Sequence, residues 1–175
     1  MTDQSGLDMP ENVACAFCDY LSGRRPFTIA AHTDRIAVLV TREQRGVPHL
    51  LVIPVAHRPS ILDLSDNEIS ALAIGVRAAA QAISDAYRRP GIAVWQNNGV
   101  PAHQSIAHVH FHVAGTLPDG GTEWGEVAEE PLEQTDAIAA VIAPYLHLDD
   151  QSAVSPQQPQ PPPYPPNGTN HHDQP

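Results

Sequence analysis

Apolar and polar positions along the chain follow two rhythms. Short apolar or alternating runs bounded by turn residues predict strands at Thr28–Ala31, Ile36–Val40, His49–Ile53 and Gly91–Trp95. A fifth run, Ala107–Val113, alternates most cleanly. His108, His110 and His112 fall on one face there, and Val109, Phe111 and Val113 on the other. Helical spacing appears at Ile69, Leu72, Ala73, Val76, Ala80, Ile83 and Tyr87, behind a Ser65-x-x-Glu68 capping box. That pattern predicts a helix over 66–88, ended ahead of Pro90. Leu132–Leu146 repeats the spacing at Ile138, Val141, Ile142 and Tyr145, while Cys15–Leu21 reads as a short helix or turn stopped by Gly23. Hairpin-length links between most strands favour an α+β class: a five-stranded antiparallel sheet with two helices segregated from it.

The rhythm is missing at both ends. Residues 1–12 are polar and predict a loose arm, and residues 13–148 carry all the periodic segments, as one domain. From Asp149 the character changes: eight of the 18 prolines fall between there and Pro175, among Gln, Asn and Ser. Such a segment buries too little apolar surface to offset its ordering entropy, which predicts a disordered, Pro-rich C-terminal tail over 149–175.

Charge narrows the partners. The formal charge is -11, with 20 acidic against 9 basic side chains, and every basic one is Arg. That balance argues against broad nucleic-acid binding and against an anionic membrane surface, while a local site still allows a small anionic substrate. The N-terminal stretch has no apolar core of a secretory signal, and no run approaches a membrane span in length. A reducing, cytoplasmic setting is expected. In that setting the single Cys15-x-x-Cys18 reads as a metal or redox pair rather than a structural staple.

The histidine face is the candidate chemistry. The apolar face of the fifth strand packs into a core, whereas the imidazoles, about 7 Å apart along the strand, have nothing expected to cover them. One such histidine would be a half-buried strand's polar side. Three in register, straight after a polar turn, suit metal binding or phosphoryl chemistry.

Gln104-Ser105-Ile106-Ala107-His108-Val109-His110-Phe111-His112-Val113 resembles the histidine triad (HIT) family of nucleotide hydrolases and transferases. Three further segments extend the resemblance over about residues 13–147: Asn97-x-Gly99 before the triad, His49-Leu50-Leu51-Val52-Ile53-Pro54-Val55-Ala56-His57, and the Cys15-x-x-Cys18 start of the family's zinc-bearing bacterial branch. The resemblance implies a five-stranded antiparallel sheet with two helices, paired into a homodimer. It implies His110 as nucleophile, forming a covalent nucleotidyl-histidine that water or another acceptor resolves. A neutral imidazole is nucleophilic near pH 7 without a separate base, which gives the assignment a chemical reason. His112 and His49 would assist it, Gln104 and Ser105 would touch phosphate and leaving group, and Asn97 would lie on the phosphate side. The same branch implies Cys15, Cys18, His57 and His108 as ligands of one structural zinc per chain, a closed tetrahedral set. The activity implied is that of a nucleotide phosphoramidase or dinucleoside-polyphosphate hydrolase or transferase acting on a nucleotide-type small molecule. Two other readings compete: a non-catalytic nucleotide- or partner-binding module of the same fold, and a metalloenzyme using the triad as its metal site.

Three positions depart from the family pattern. Thr41 stands where an acidic residue commonly holds both ribose hydroxyls, and makes fewer such bonds. His103 replaces a Gly that permits positive φ and close backbone approach. Ala114-Gly115-Thr116-Leu117-Pro118 lacks the Pro-Arg that commonly follows the triad, and Trp124 is a candidate cap over the site.

Overall fold

A computed structural model of the chain describes residues 6–11 and 14–148. The expected tail over 149–175 lies outside the described residues. Five strands form one sheet in the order β1-β2-β3-β5-β4: β1 (Ile29–His32), β2 (Ile36–Val40), β3 (His49–Pro54), β4 (Ile92–Gln96) and β5 (Phe111–Gly115). Every neighbouring pair is antiparallel. Among the described residues three α-helices accompany it: α1 (Ala16–Leu21), α2 (Asp66–Tyr87) and α3 (Leu132–Ile142). Among the described residues, no helix is long and apolar enough to cross a membrane.

The continuous apolar runs of β2 and β3 are explained by burial on both faces. On one face Val38, Val40, Leu50 and Val52 pack with Leu72, Ala79 and Ile83 of α2 and Ile142 of α3. On the other, Ala37, Leu39, Leu51 and Ile53 pack against Phe17 of α1. The predicted cap of α2 forms as a reciprocal box. Glu68 N–H donates to the Ser65 hydroxyl, and the Ser65 N–H donates to the Glu68 carboxylate at 2.8 Å.

Two expectations about the triad segment need correction. The fifth strand begins at Phe111, so of the three histidines only His112 lies in the ladder. Pairing with both β3 and β4 stops at Phe111, and the Val109 N–H turns instead to the Arg58 carbonyl at 2.7 Å. Nor is the whole histidine face uncovered. His108 is 0% and His110 5% exposed, because α1 lays Phe17 over them. Val109 and Val113 do fill the opposite core, as the alternation predicts.

The loop from β2 to β3 crosses the end of β5, and this crossing shapes the site. The Val47 N–H donates to the Gly115 carbonyl at 2.8 Å, and the Gly115 N–H to the Pro48 carbonyl at 3.0 Å. A Cβ on either Gly46 or Gly115 would strike the other strand's backbone, so only glycines let the segments approach this closely. Residues 43–45 are thereby brought to the open edge of the triad.

Candidate active site and metal cluster

His110 lies at the centre. Its Nδ1 is 2.7 Å from the His108 carbonyl, which can only accept, so the ring proton sits on Nδ1 and Nε2 keeps its lone pair. Burial lowers the His110 pKa, partly offset by that carbonyl, and holds the ring neutral.

His112 is organised through a relay of the same logic. His49 Nδ1 donates to the Glu43 carbonyl at 2.8 Å, leaving His49 Nε2 to accept from His112 Nδ1 at 3.0 Å. The ring nitrogen that His112 has left is Nε2. Burial pushes His49 down to about 4, offset in part by the Glu43 carbonyl. His112 falls to about 2, from burial first and then from His110, His49 and Arg45. The His110 and His112 rings meet edge to face, with centroids 5.0 Å apart.

A cavity of about 360 Å³ opens over these rings. Of the predicted residues, His110, His112, Ser105 and Asn97 line it. His49 stands behind His112, only 1% exposed. Thr41 is not among the lining residues; the carboxylate-bearing Glu43, two positions on, takes the wall instead. Gln104 is turned inward. Its amide oxygen accepts from the Gly99 N–H at 2.7 Å, and its nitrogen donates to the Pro59 and Ile106 carbonyls at 2.7 and 2.9 Å. This braces the loop that presents Ser105. His103 adopts the left-handed conformation, φ 66°, so the backbone geometry a glycine would give is kept while an imidazole is added to the cavity wall.

Three further wall residues escaped sequence reasoning. Arg45 pairs with Glu43 at 2.7 Å and donates to the Gly125 carbonyl at 2.8 Å, while its own carbonyl accepts from the Glu123 N–H at 2.7 Å. This clamp holds Trp124, 75% exposed, beside Trp95 at a centroid distance of 6.0 Å. Glu43 and Arg45 sit in a polar loop whose only sequence signal is charge. Trp95 reads from sequence as the last residue of a strand.

On the far side of His108 the four predicted ligands converge. One donor atom from each of Cys15, Cys18, His57 and His108 lies within 4.8 Å of the others. His108 Nδ1 is 3.3 Å from Cys15 Sγ and 3.8 Å from Cys18 Sγ, and His57 Nδ1 is 3.5 Å from Cys18 Sγ. A tetrahedral zinc with ordinary bond lengths sets a sulfur-to-nitrogen edge of about 3.5 Å. These separations fit such an ion. His108 Nε2 donates to the Pro54 carbonyl at 2.9 Å, which frees Nδ1 as a ligand and fixes the ring. In the bare pair, burial and the neighbouring Cys15 raise the Cys18 thiol to about 11; a cation would reverse that by stabilising the thiolate. None of the four ligands lines the cavity.

Comparison with known proteins places the fold. The HIT domain model matches residues 23–118. Adenosine 5'-monophosphoramidase HNT1 of Saccharomyces cerevisiae is 29% identical over 126 residues, 71% of this chain and 75% of the yeast protein. Among solved structures, a Hit-like protein from Bartonella henselae superposes with a TM-score of 0.71 at 22% identity, covering 79% of this chain and 100% of its own. A Zn-bound histidine triad family protein from Mycobacterium smegmatis gives 0.67 at 19% identity, covering 78% and 95%.

The buried neutral histidines make stability depend on pH. An unfolded imidazole titrates near 6.5, whereas His49 and His112 titrate in the fold at about 4 and about 2. Below about pH 6.5 the unfolded chain binds protons that the folded chain refuses, so acidification favours unfolding. Each of the two should contribute a slope of up to about 1.4 kcal/mol per pH unit, lost above about pH 7. Urea unfolding midpoints at about pH 7.5, 6 and 5 will read this slope, and His49→Asn should flatten it. Equal stability at all three values would contradict the buried neutral state.

Proposed function

The chain belongs to the HIT domain family, and we propose that it is a nucleotide hydrolase or nucleotidyl transferase of the phosphoramidase or dinucleoside-polyphosphate type, with His110 as its nucleophile. One observation carries the reading. His110 commits its Nδ1 proton to the His108 carbonyl and so keeps a lone pair on Nε2, next to His112 and under an open cavity.

The reaction runs in two balanced steps. His110 Nε2 attacks the α-phosphorus; the N–P bond forms as the bond from phosphorus to the leaving group breaks. His112 enters this step as the imidazolium, having gained a proton on Nε2 together with the anionic substrate. The leaving group departs with the electron pair and takes that Nε2 proton, leaving His112 neutral with its Nδ1–H on His49. The phosphorylated His110 ring carries positive charge, and its Nδ1–H on the His108 carbonyl stabilises it. Water or another acceptor then attacks phosphorus, His112 receives the acceptor's proton, and the N–P electrons return to His110. Positioning and charge stabilisation supply most of the rate, since little other bond-making is asked of the protein. Ser105 and Asn97 contact the phosphate from the cavity wall and Gln104 acts by bracing that wall, while Thr41, which does not line the cavity, takes no part.

Cys15, Cys18, His57 and His108 hold one structural zinc in this reading. All four positions are taken by protein, so the ion supplies a cross-link between α1, the loop after β3 and the triad segment rather than an activated water. The M. smegmatis structure and the tetrahedral edge lengths support it. A homodimer is proposed as the working form, with β4 as an edge strand and Val94 on it 49% exposed.

Two experiments test these assignments. Adenosine 5'-phosphoramidate incubated with the chain and quenched without acid should leave a nucleoside monophosphate on His110, detected by peptide mass spectrometry. His110→Ala should fold and lose about 10³-fold or more in kcat; near-wild-type turnover would leave only a binding module. Elemental analysis of chelator-free protein should find one zinc per chain. Cys15→Ser should lose it and lower Tm on the order of 10 °C, keeping part of its low-temperature activity. If zinc removal abolishes chemistry while the fold survives, the metal is catalytic.

A further inference from the structure

Trp95 touches the site in a way that its strand position alone does not require. It stands directly opposite His112 in the β4–β5 ladder, and its indole lies face to face on the His112 imidazole. The centroids are 4.6 Å apart and the planes 3° from parallel. The other constraints on His112 are the bond from its Nδ1 to His49 and the edge contact with His110. Together these leave one polar atom of the ring, Nε2, for the cavity that His112 and Trp95 both line.

We propose that Trp95 is a positioning residue for proton transfer from His112 to the leaving group. This rests on the reading above, in which His112 is the acid. Two physical effects support it. Stacking fixes the ring plane, so the Nε2–H has one direction. The face of an indole is also electron-rich and attracts a cation above it, more strongly than a phenyl or phenol ring does. His112 needs such help. Its surroundings are buried, Arg45 on the same cavity wall opposes a positive ring, and the neighbouring His49 offers a lone pair to Nδ1 alone. A Val or Thr opposite His112 would satisfy the strand equally well and would supply neither effect.

The test separates a proton donor's partner from a structural residue by the leaving group. An adenosine 5'-alkylphosphoramidate expels an amine that must be protonated as it leaves. Adenosine 5'-(4-nitrophenyl)phosphate expels a stable anion that need not be. Trp95→Val should lower kcat on the phosphoramidate by about 10²-fold, in the range general acid catalysis contributes. It should change kcat on the nitrophenyl ester by less than about threefold and KM little on either. Trp95→Phe, which keeps a ring face, should recover most of the loss. Equal losses on the two substrates in a folded Trp95→Val, or no recovery in Trp95→Phe, would overturn the proposal.

A second measurement does not need the Val variant to fold. The chain has two tryptophans, so Trp124→Phe leaves Trp95 as its sole indole. Binding of adenosine monophosphate should quench its emission as the imidazolium forms beneath it, and His112→Asn should remove the quench. Unchanged emission in a chain that binds the nucleotide would also overturn it. Turnover of neither substrate by the wild-type chain would instead remove the hydrolase reading, and this one with it.

Discussion

The site depends on one buried residue, His108, which serves two neighbours with different parts of itself. Its ring lies among the cysteines and His57, with Nε2 bonded to Pro54. Its carbonyl accepts the hydrogen bond from His110 Nδ1–H. A fully buried imidazole is costly unless both nitrogens find partners, and here both do. The same placement sets the tautomer of the ring two residues on. The Cys/His cluster and the cavity are therefore not independent features that share a fold. They are the two sides of a single backbone segment, residues 108–110, that leaves the sheet to pair with Arg58.

Helix α1 strengthens this connection. Six residues cannot hold a helix by themselves, and α1 is anchored through Phe17, which is 3% exposed. Phe17 lies between Cys15 and Cys18 in sequence and packs on His108 at 5.6 Å and on His110 at 5.2 Å between ring centroids. A ligand pair spaced by two residues thus delivers an aromatic ring to both histidines. Loosening of the cluster would free the ring that covers His110. An ion held by the four donors would therefore act on His110 through Phe17, without reaching the cavity itself.

Much of this was legible in the sequence, and the parts that were not share a physical cause. Both long helices, the α2 cap and the buried runs of β2 and β3 follow from periodicity and capping chemistry, and the convergence of Cys15, Cys18, His57 and His108 follows from the family resemblance. Periodicity assigns faces, but it does not say where a ladder stops, so the strand at 107–113 was expected too long by four residues at its start. Residue type suggests what a side chain can do but not which way it turns: Gln104 has the chemistry for phosphate and spends it on Gly99, Pro59 and Ile106. The Arg45 clamp joins residues 80 apart in sequence, a separation at which local patterns carry no information. Trp95 acquires its meaning only from the register that sets it against His112.

The acidity of the chain bears on how an anionic substrate is held. Arg45, on the cavity wall, is already paired with Glu43. Little unopposed positive charge therefore greets a phosphate. The wall offers imidazoles kept neutral by burial and by one another. In the proposed reaction this makes binding and protonation the same event. An arriving anion stabilises an imidazolium that the free site rejects, so His112 gains its proton together with the substrate that will use it. A site built on fixed cations would bind phosphate more tightly in every state, product included. One built on neutral rings reserves its charge for the complex, where interactions gained late lower the barrier rather than deepen the ground state.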